Sequence, residues 1–232
     1  MSDASAPSLL ATQLVRRFDD GERVIEVLCG LDLELAAGES VAVVGESGVG
    51  KSTLLQILGA LDRPDSGEVR VAEHDLFRLP GAQLARLRND SIGFVFQFHH
   101  LLGDFTAIEN VMMPLLIGSK GRAAARARAE AVLERVGLAE RLHHRPGQLS
   151  GGEQQRVAVA RAIVADPQVV LADEPTGNLD PNTAHSVQEL LLALQREIGC
   201  SMVIATHSAT LAGAMDRTLR LAGGQLHREA GA

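Results

Sequence analysis

Gly45-Glu46-Ser47-Gly48-Val49-Gly50-Lys51-Ser52 fits the pattern G-x-x-x-x-G-K-[ST] in a chain of 232 residues. The five residues before it, Ser-Val-Ala-Val-Val at positions 40–44, form a short apolar run that is typical of a strand buried on both faces of a parallel sheet. Apolar residues recur with helical spacing over positions 51–60. We therefore expect a strand, a loop and a helix in succession.

Loops of this pattern bind phosphate groups. Their glycines let the backbone curl so that successive N–H groups point at phosphate oxygens, and the following helix adds the partial positive charge of its N-terminus. Lys51 would place its ammonium between the β- and γ-phosphates, and the Ser52 hydroxyl would bind Mg²⁺. A glycine-rich turn with an incidental lysine would be a chance match, which we put at under ~1%. The predicted ATP-binding residues in this region are Gly45, Glu46, Ser47, Gly48, Val49, Gly50, Lys51, Ser52 and Thr53.

Composition narrows the class of protein. Hydrophobic residues make up 46% and charged residues 22%, so the chain can bury a core, and its length suits a single domain over residues 1–232. The net charge of −7 argues against a nucleic-acid binder with a broad basic surface. The N-terminus does not resemble a signal peptide and no run reaches ~18 apolar residues, so we expect a cytosolic protein or one held at a membrane by a partner. Cys29 and Cys200 are expected to be small buried residues in a reducing compartment.

The rest of the chain alternates between strand and helix patterns. Apolar runs at positions 92–96, 169–172 and 202–205 are separated by helical segments, which predicts an α/β fold. Leucines alternate with acidic residues at positions 31–35, the period of a half-buried strand. Residues 106–165 have a helical pattern, and we interpret them as a helical subdomain inserted into the α/β core. The Arg-rich stretch 120–128 is expected to be the solvated face of a helix.

Two adjacent carboxylates, Asp173 and Glu174, end the run at 169–172. The carboxyl ends of parallel strands are where ligands of such sheets bind. Because consecutive side chains at a strand end diverge, we expect Asp173 to face Mg²⁺ and Glu174 to face a water beside the γ-phosphate. An Asp-Glu-Pro sequence alone more commonly marks a turn, but together with the phosphate loop the pair favours catalysis.

Leu149-Ser150-Gly151-Gly152-Glu153-Gln154-Gln155-Arg156 resembles the signature motif of ATP-binding-cassette ATPases. Ser150 can cap a helix whose glycines leave backbone N–H groups uncovered, and the helix dipole favours an anion there. The resemblance implies a homodimer in which ATP lies between the phosphate loop of one chain and the signature motif of the other. The residues of that motif are Leu149, Ser150, Gly151, Gly152 and Glu153.

The remaining family motifs occur in the expected order. Gln97 resembles the Q-loop glutamine, and His207 resembles the switch histidine. The family's adenine-stacking residue is usually Tyr, which this chain lacks, and Phe18 precedes the phosphate loop, so the resemblance assigns the role to Phe18. The implied D-loop is Asn178, Leu179 and Asp180, the implied catalytic residues are Lys51, Gln97, Glu174 and His207, and the implied Mg²⁺ contacts are Ser52, Gln97 and Asp173.

The resemblance also implies the architecture and the partners. The expected fold is an α/β ABC ATPase nucleotide-binding domain with a P-loop, RecA-like core, an N-terminal antiparallel β-subdomain and an inserted helical subdomain. The core would span about residues 1–97 and 166–232, and the helical subdomain about residues 98–165. Residues 173–180 are similar to the lipoprotein-releasing, macrolide-export and cell-division cassettes, and residues 96–117 look most like the lipoprotein-releasing ones. Two membrane-spanning subunits would then dock near residues 97–105, at the cytoplasmic face of a bacterial inner membrane.

Two other functions fit the sequence less well. A soluble cassette acting on nucleic acid or ribosomes generally has two cassettes or long inserted arms, which this chain lacks. A cell-division scaffold, in which ATP binding is the output, is disfavoured by the resemblance of residues 96–102 to the lipoprotein-releasing cassettes. The pairs His99-His100 and His143-His144 have no third ligand at a useful spacing, so we expect them at surfaces or interfaces.

Overall fold

The computed structural model describes residues 6–19, 21 and 23–229. Its strands are β1 (Leu9–Asp19), β2 (Val24–Leu35), β3 (Ser40–Val44), β4 (Ser66–Val71), β5 (His74–Asp75), β6 (Ile92–Phe96), β7 (Val169–Asp173), β8 (Ser201–Ala205), β9 (Arg217–Ala222) and β10 (Gln225–Arg228). Its helices are α1 (Lys51–Leu58), α2 (Gly81–Ser91), α3 (Ala107–Ile117), α4 (Arg122–Arg135), α5 (Gly151–Ile163), α6 (Pro181–Ile198) and α7 (Ala209–Gly213).

The central sheet has the strand order β10-β9-β3-β8-β7-β6 among the described residues. β10 is antiparallel to β9, and the other neighbours are parallel. Successive residues of β7 alternate between two cores: Val169 and Leu171 pack with α1, while Val170 and Ala172 pack with the helices on the other face. The predicted strands buried on both faces are confirmed, and β7 extends one residue further than expected, to Asp173.

A second sheet, with the order β2-β1-β4-β5, is antiparallel. The alternation at 31–35 is confirmed, because Leu31, Leu33 and Leu35 are at most 3% exposed and lie in the core beneath α1. The expectation for Cys29 was wrong: it is half-buried, because its side chain packs against Gly224 at the edge of β10 without being enclosed. Cys200 is buried as expected, and burial raises the pKa of its thiol to about 11.

Helices α3, α4 and α5 pack on one another between β6 and β7 in the chain. On α4 the small residues Ala125 and Ala129 are fully buried, whereas Arg122 and Arg126 are exposed. The basic stretch is therefore the solvated side of a helix, as predicted. The subdomain boundaries at 97/98 and 165/166 remain a prediction. In the part of the chain that the structure describes, no helix is both long and apolar enough to cross a bilayer.

Candidate functional site

The strand register brings the predicted site residues to one edge of the central sheet. Val43 pairs with Ala205, Ala205 with Asp173, and Asp173 with Phe96. The segments that follow β3, β8, β7 and β6 therefore begin side by side. These are the segments that carry the phosphate loop, His207, Glu174 and Gln97.

Lys51 is buried to 7% exposure at the first position of α1. Its ammonium donates to the carbonyl oxygens of Gly45 and Glu46, both at 2.9 Å, and lies 3.1 Å from Nε2 of His207. An ammonium has three N–H donors and no acceptor, so these contacts occupy all three, and Nε2 of His207 must be the unprotonated ring nitrogen. A phosphate oxygen that binds Lys51 must therefore replace one of these partners.

The loop before α1 is held close to β2. Gly50 has a φ of +111°, and a Cβ at this position would lie 2.4 Å from a side-chain methyl of Val27. A glycine is needed at Gly50 both for the left-handed backbone and for this close approach. The α1 helix begins without a side-chain cap. A bound anion is one of the partners that can satisfy the N–H groups of such a helix end.

Asp173 and Glu174 face different parts of the site, while their expected contacts with Mg²⁺ and with a water remain predictions. Asp173 lines a small cavity together with Ser52. Glu174 adopts a left-handed conformation, with a φ of +44°, which turns its side chain toward the segment after β8. Its Oε2 accepts a hydrogen bond from the backbone N–H of His207 at 3.2 Å. Its Oε1 is buried, accepts no hydrogen bond from the described residues, and lies 3.4 Å from Nε2 of His207.

The unpartnered oxygen of Glu174 follows from the contact between Lys51 and His207. Because Nε2 of His207 accepts from the ammonium, it has no proton to donate to the carboxylate. Glu174 thus keeps a free acceptor within a cluster of otherwise paired groups. A buried acceptor without a partner is costly, and a water molecule is the simplest donor that fits.

The oxygen-bearing side chains at this edge of the sheet suit Mg²⁺. This ion prefers oxygen ligands and keeps several waters, so it is usually held by one or two carboxylates together with substrate phosphates. Ser52, which has a hydroxyl, and Asp173, which has a carboxylate, both line the same small cavity. Within the described residues there is no group of three or more His, Cys, Asp or Glu side chains that could hold a metal by itself. An ion at this edge would therefore need oxygens from the nucleotide.

The side chain of Gln97 contacts the predicted D-loop. Nε2 of Gln97 donates to Oδ1 of Asn178 at 3.1 Å, and Nδ2 of Asn178 donates to the backbone carbonyl of Gln97 at 3.2 Å. This reciprocal pair joins residues 81 positions apart. The sequence placed both residues in motifs but gave no indication that they bond to each other.

The signature motif lies at the start of α5, on the helical side of the molecule. Ser150 caps the helix: its Oγ accepts from the N–H of Glu153 at 3.2 Å, and a Glu153 carboxylate oxygen accepts from the N–H of Ser150 at 2.8 Å. This bond from Ser150, followed by one from Arg141, lowers the pKa of Glu153. The expected cap is confirmed, and the carboxylate of Glu153 is occupied by it.

The two glycines of the motif differ in role. Gly151 is exposed, and its N–H has no partner among the described residues. Gly152 is buried, and a Cβ there would lie 2.4 Å from a methyl of Thr183 on α6. Gly152 is therefore also required by helix packing, a role that the sequence did not indicate. Among the described residues, none of the hydrogen bonds of Lys51 is made with this motif.

Phe18 lies near the end of β1, where it is 41% exposed and pairs in register with Ile25. The guanidinium of Arg16 lies 4.7 Å from the centre of its ring. The exposed ring can accept a stacked base, with the cation strengthening the stack from one side. Its role toward adenine remains a prediction.

The segment after Gln97 is anchored by two residues that the sequence analysis did not single out. Asn110, in the second turn of α3, is 1% exposed, and its amide bonds to the backbone of Leu102, Phe105 and Thr106. Arg161, near the end of α5, donates to two carbonyls in the His99-His100 pair. A polar side chain within the apolar run 107–117 was the available signal for Asn110.

These anchors leave apolar side chains exposed. Phe98 is 68% exposed, Leu102 45% and Phe105 39%, whereas Leu101 packs on the core. The two histidine pairs behave differently: the ring of His100 packs edge-on against Phe96 at 5.1 Å, and His143 is exposed. Burial lowers the pKa of His99, with the Arg161 charge adding to the effect.

A family model described as ABC transporter matches residues 28–177. The chain belongs to this family. It is 57% identical over 213 residues to the lipoprotein-releasing system ATP-binding protein LolD of Geobacter metallireducens, which covers 92% of this chain and 95% of the relative. It is 54% identical to the LolD protein of Bordetella pertussis, with 96% of each chain covered.

Solved structures give the same result for the fold. The chain matches a dimeric, post-hydrolysis structure of the ATP-binding cassette MJ0796 bound to ADP and Pi, with a TM-score of 0.88. The two are 38% identical in sequence, and the match covers 96% of this chain and 98% of the other. The predicted fold class, an α/β cassette with an antiparallel β-subdomain and a helical subdomain, is confirmed.

Proposed function

We propose that this chain is the ATP-hydrolysing subunit of a bacterial inner-membrane ABC transporter that releases lipoproteins destined for the outer membrane. The observation that carries the proposal is the cluster of Lys51, His207 and Glu174 at the sheet edge, in which a buried ammonium and a carboxylate with a free oxygen share one histidine. The names of the LolD relatives supply the transport system. The protein would be peripheral, on the cytoplasmic face of the membrane.

The cluster suggests how the chain's residues act on ATP. Lys51 binds the β- and γ-phosphates and neutralises charge as the γ-phosphoryl group leaves. His207 is 53% exposed at its side chain, so it can give up Lys51 and, as the tautomer that carries the ring proton on Nε2, donate instead to a γ-phosphate oxygen. Glu174 then uses its free Oε1 to accept a hydrogen bond from the attacking water and orient it.

Ser52 and Asp173 are the residues we propose to hold Mg²⁺, with Gln97 as a third contact. The cation supplies charge neutralisation at the phosphates. Ser52 contributes its hydroxyl from the first turn of α1, and Asp173 contributes its carboxylate from the end of β7. The phosphate loop and Thr53 surround the nucleotide, and Phe18 stacks on its base.

A homodimer completes the site. The N-terminus of α5 presents the free N–H of Gly151 and the positive end of the helix dipole, which favour an anion. Since Lys51 bonds to Gly45, Glu46 and His207 and not to this helix end, we propose that the helix end binds the γ-phosphate held by a second copy. The D-loop residues Asn178, Leu179 and Asp180 would lie at the same interface. The MJ0796 cassette is dimeric in its solved structures, which supports this arrangement.

The membrane-spanning partners, LolC- and LolE-like, would dock on residues 97–105. The exposed Phe98, Leu102 and Phe105 form an apolar surface that suits a short amphipathic helix. The anchors Asn110 and Arg161 hold its backbone in place. The exposed Ile117 at the end of α3 lines a neighbouring cleft with His100.

Leu102→Glu tests the docking proposal. We expect the variant to fold, to keep its basal ATPase activity and to lose assembly with the membrane subunits, because a charge would enter an apolar contact. Val24→Glu is the matched control, since Val24 is 62% exposed on β2 in the other sheet. Retained assembly of the Leu102 variant, or loss of fold and basal activity, would contradict the proposal.

Identification of the membrane proteins that co-purify with the tagged chain tests the transport system. LolC- and LolE-like subunits are the expected result. Subunits of a macrolide exporter or of a cell-division complex would refute lipoprotein release while leaving the ATPase proposal in place. Co-purification with ribosomes or DNA would refute both the docking surface and the transporter.

A further inference from the structure

We propose that Asn178 is a positioning residue that fixes the side-chain amide of Gln97 with its oxygen, rather than its nitrogen, available to the cation. The inference rests on the proposed function, in which Gln97 contacts Mg²⁺. In this proposal the D-loop residue Asn178 holds the side chain of the Q-loop residue Gln97 of the same chain in one orientation.

The hydrogen bonds between the two residues fix the orientation of both side-chain amides. The backbone carbonyl of Gln97 can only accept, so the side chain of Asn178 must turn Nδ2 toward it. This leaves Oδ1 of Asn178, which can only accept, facing the side chain of Gln97. Gln97 must therefore turn Nε2 toward Asn178, and its Oε1 points away as a free acceptor.

A free amide would have no such preference. The oxygen and nitrogen ends of an amide are nearly identical in shape, and rotation about the last bond exchanges them. A hard cation such as Mg²⁺ takes oxygen ligands, so the reversed amide would present a donor to the cation or to its waters. Among the described residues Oε1 of Gln97 accepts no hydrogen bond, and it is not among the buried unpartnered atoms, so it is open to a ligand.

The backbone beside the pair is shaped to allow it. Gly177 lies next to Asn178, and a Cβ at Gly177 would lie 3.0 Å from Nε2 of Gln97 and 3.4 Å from Cβ of Glu174. Any larger residue would crowd the amide. The N–H of Gly177 donates to the backbone carbonyl of Glu174 at 3.0 Å. The turn that leads to Asn178 therefore starts at Glu174, the residue with the proposed catalytic carboxylate.

The place of Gln97 on the sheet connects the pair to the cation site. Gln97 follows Phe96, which pairs in register with Asp173, the proposed Mg²⁺ ligand on the neighbouring strand. Asn178 lies five residues beyond Asp173 in the chain, so the turn after β7 leads back to the end of β6. The free oxygen of Gln97 thus emerges at the strand ends where the cation is proposed.

The test is the dissociation constant of ATP for the full-length chain, measured in Mg²⁺ and again in EDTA. The constant in EDTA divided by the constant in Mg²⁺ is the ratio that reports how much the cation strengthens binding, independently of turnover. We expect Asn178→Ala to lower this ratio about three- to tenfold, the cost of immobilising one free side chain upon binding. The constant in EDTA should stay within twofold of the parent value.

Two further variants separate positioning from a general structural role. Asn182→Ala is the matched control, because Asn182 is exposed and its side chain makes no hydrogen bond with the described residues. Gln97→Glu has an oxygen at both ends of its side chain, so orientation no longer matters. One carboxylate oxygen would face Oδ1 of Asn178, which also only accepts, so adding Asn178→Ala to Gln97→Glu should leave the ratio unchanged or raise it, and should not lower it.

Several results would overturn the inference. An Asn178→Ala variant with the parent ratio, or with a higher ratio, would show that the pair is idle or that it withholds Gln97 from the cation. Equal weakening in Mg²⁺ and EDTA, or an equal loss in the Gln97→Glu background, would show a structural role. If the parent chain binds ATP with no Mg²⁺ effect, the proposed cation site itself fails, and this inference fails with it.

Discussion

Asn110→Leu should destabilise the chain while leaving the phosphate site intact. Asn110 is 1% exposed, and its amide makes four hydrogen bonds of 2.8 to 3.2 Å to the backbone at Leu102, Phe105 and Thr106. Leucine has a similar volume, so the change removes the hydrogen bonds without opening a large cavity.

The expected size follows from these contacts. The amide nitrogen has two N–H donors shared among three carbonyls, so with the bond to Oδ1 the side chain makes about three full hydrogen bonds. Each contributes a net 0.5–1.5 kcal/mol to a folded protein, which gives about 1.5–4.5 kcal/mol in total. Leu102 and Phe105 are exposed residues, and their freed backbone groups can bond to water, so we expect the lower part of this range, about 1.5–3 kcal/mol. For a chain of this length the midpoint of thermal unfolding should fall by about 3–12 °C.

Urea and thermal unfolding of the isolated chain measure this loss. Asn182→Leu is the control, because it makes the same chemical change at an exposed position of α6 without hydrogen bonds to lose. We expect the control to change the free energy of unfolding by less than about 0.5 kcal/mol. A loss below about 1 kcal/mol for Asn110→Leu would refute the view that this amide anchors the docking segment.

Three further predictions concern the phosphate loop and the signature helix. Lys51→Ala should raise the dissociation constant of ATP and lower kcat together. Lys51→Arg should restore neither quantity, because a planar guanidinium does not fit a site shaped around a compact ammonium. An Arg variant with the parent values would refute the assignment. Gly152→Ala should lower the free energy of unfolding in urea by about 1–3 kcal/mol, since its Cβ would overlap a methyl of α6. An unchanged free energy of unfolding would show that α6 shifts to accommodate the methyl group without cost. Glu153→Gln keeps the capping box but removes a carboxyl whose pKa is lowered by the bond from Ser150. A pKa that is lower in the folded state than in the unfolded state gives stability that is present above the unfolded value of about 4.3 and is lost as the pH falls through the folded value. The variant should therefore lose less stability than the parent between about pH 5 and pH 2. Equal losses of stability in the two proteins over this pH range would contradict the prediction.

Local patterns predicted most of the elements. The apolar run at 40–44 and the loop after it identified β3 and the start of α1, because a buried strand and a helix have distinct apolar periods. Ser150 identified the start of α5, because a serine that caps a helix is likewise a local signal. Signals of this kind act over a few residues and survive in the sequence alone.

Contacts between distant residues were not predictable in the same way. Lys51 and His207 are 156 positions apart, and Gln97 and Asn178 are 81 apart. Their contacts depend on the register of the central sheet, which the sequence indicates only through the order of the motifs. The left-handed backbone of Glu174 and the incomplete burial of Cys29 are likewise set by neighbours that no local pattern reveals.

The turnover of Glu174→Gln tests the proposed mechanism most directly. The amide keeps the shape of the side chain and the bond to the N–H of His207, but it cannot act as the base for the attacking water. With Glu34→Gln, an exposed position on β2, as the control, ATP affinity should stay near the parent value in both variants. We predict that kcat of Glu174→Gln falls at least about 100-fold and that an ATP-bound dimer accumulates. A kcat within about threefold of the parent, a barrier change below 1 kcal/mol, would contradict the assignment of Glu174 as the catalytic carboxylate.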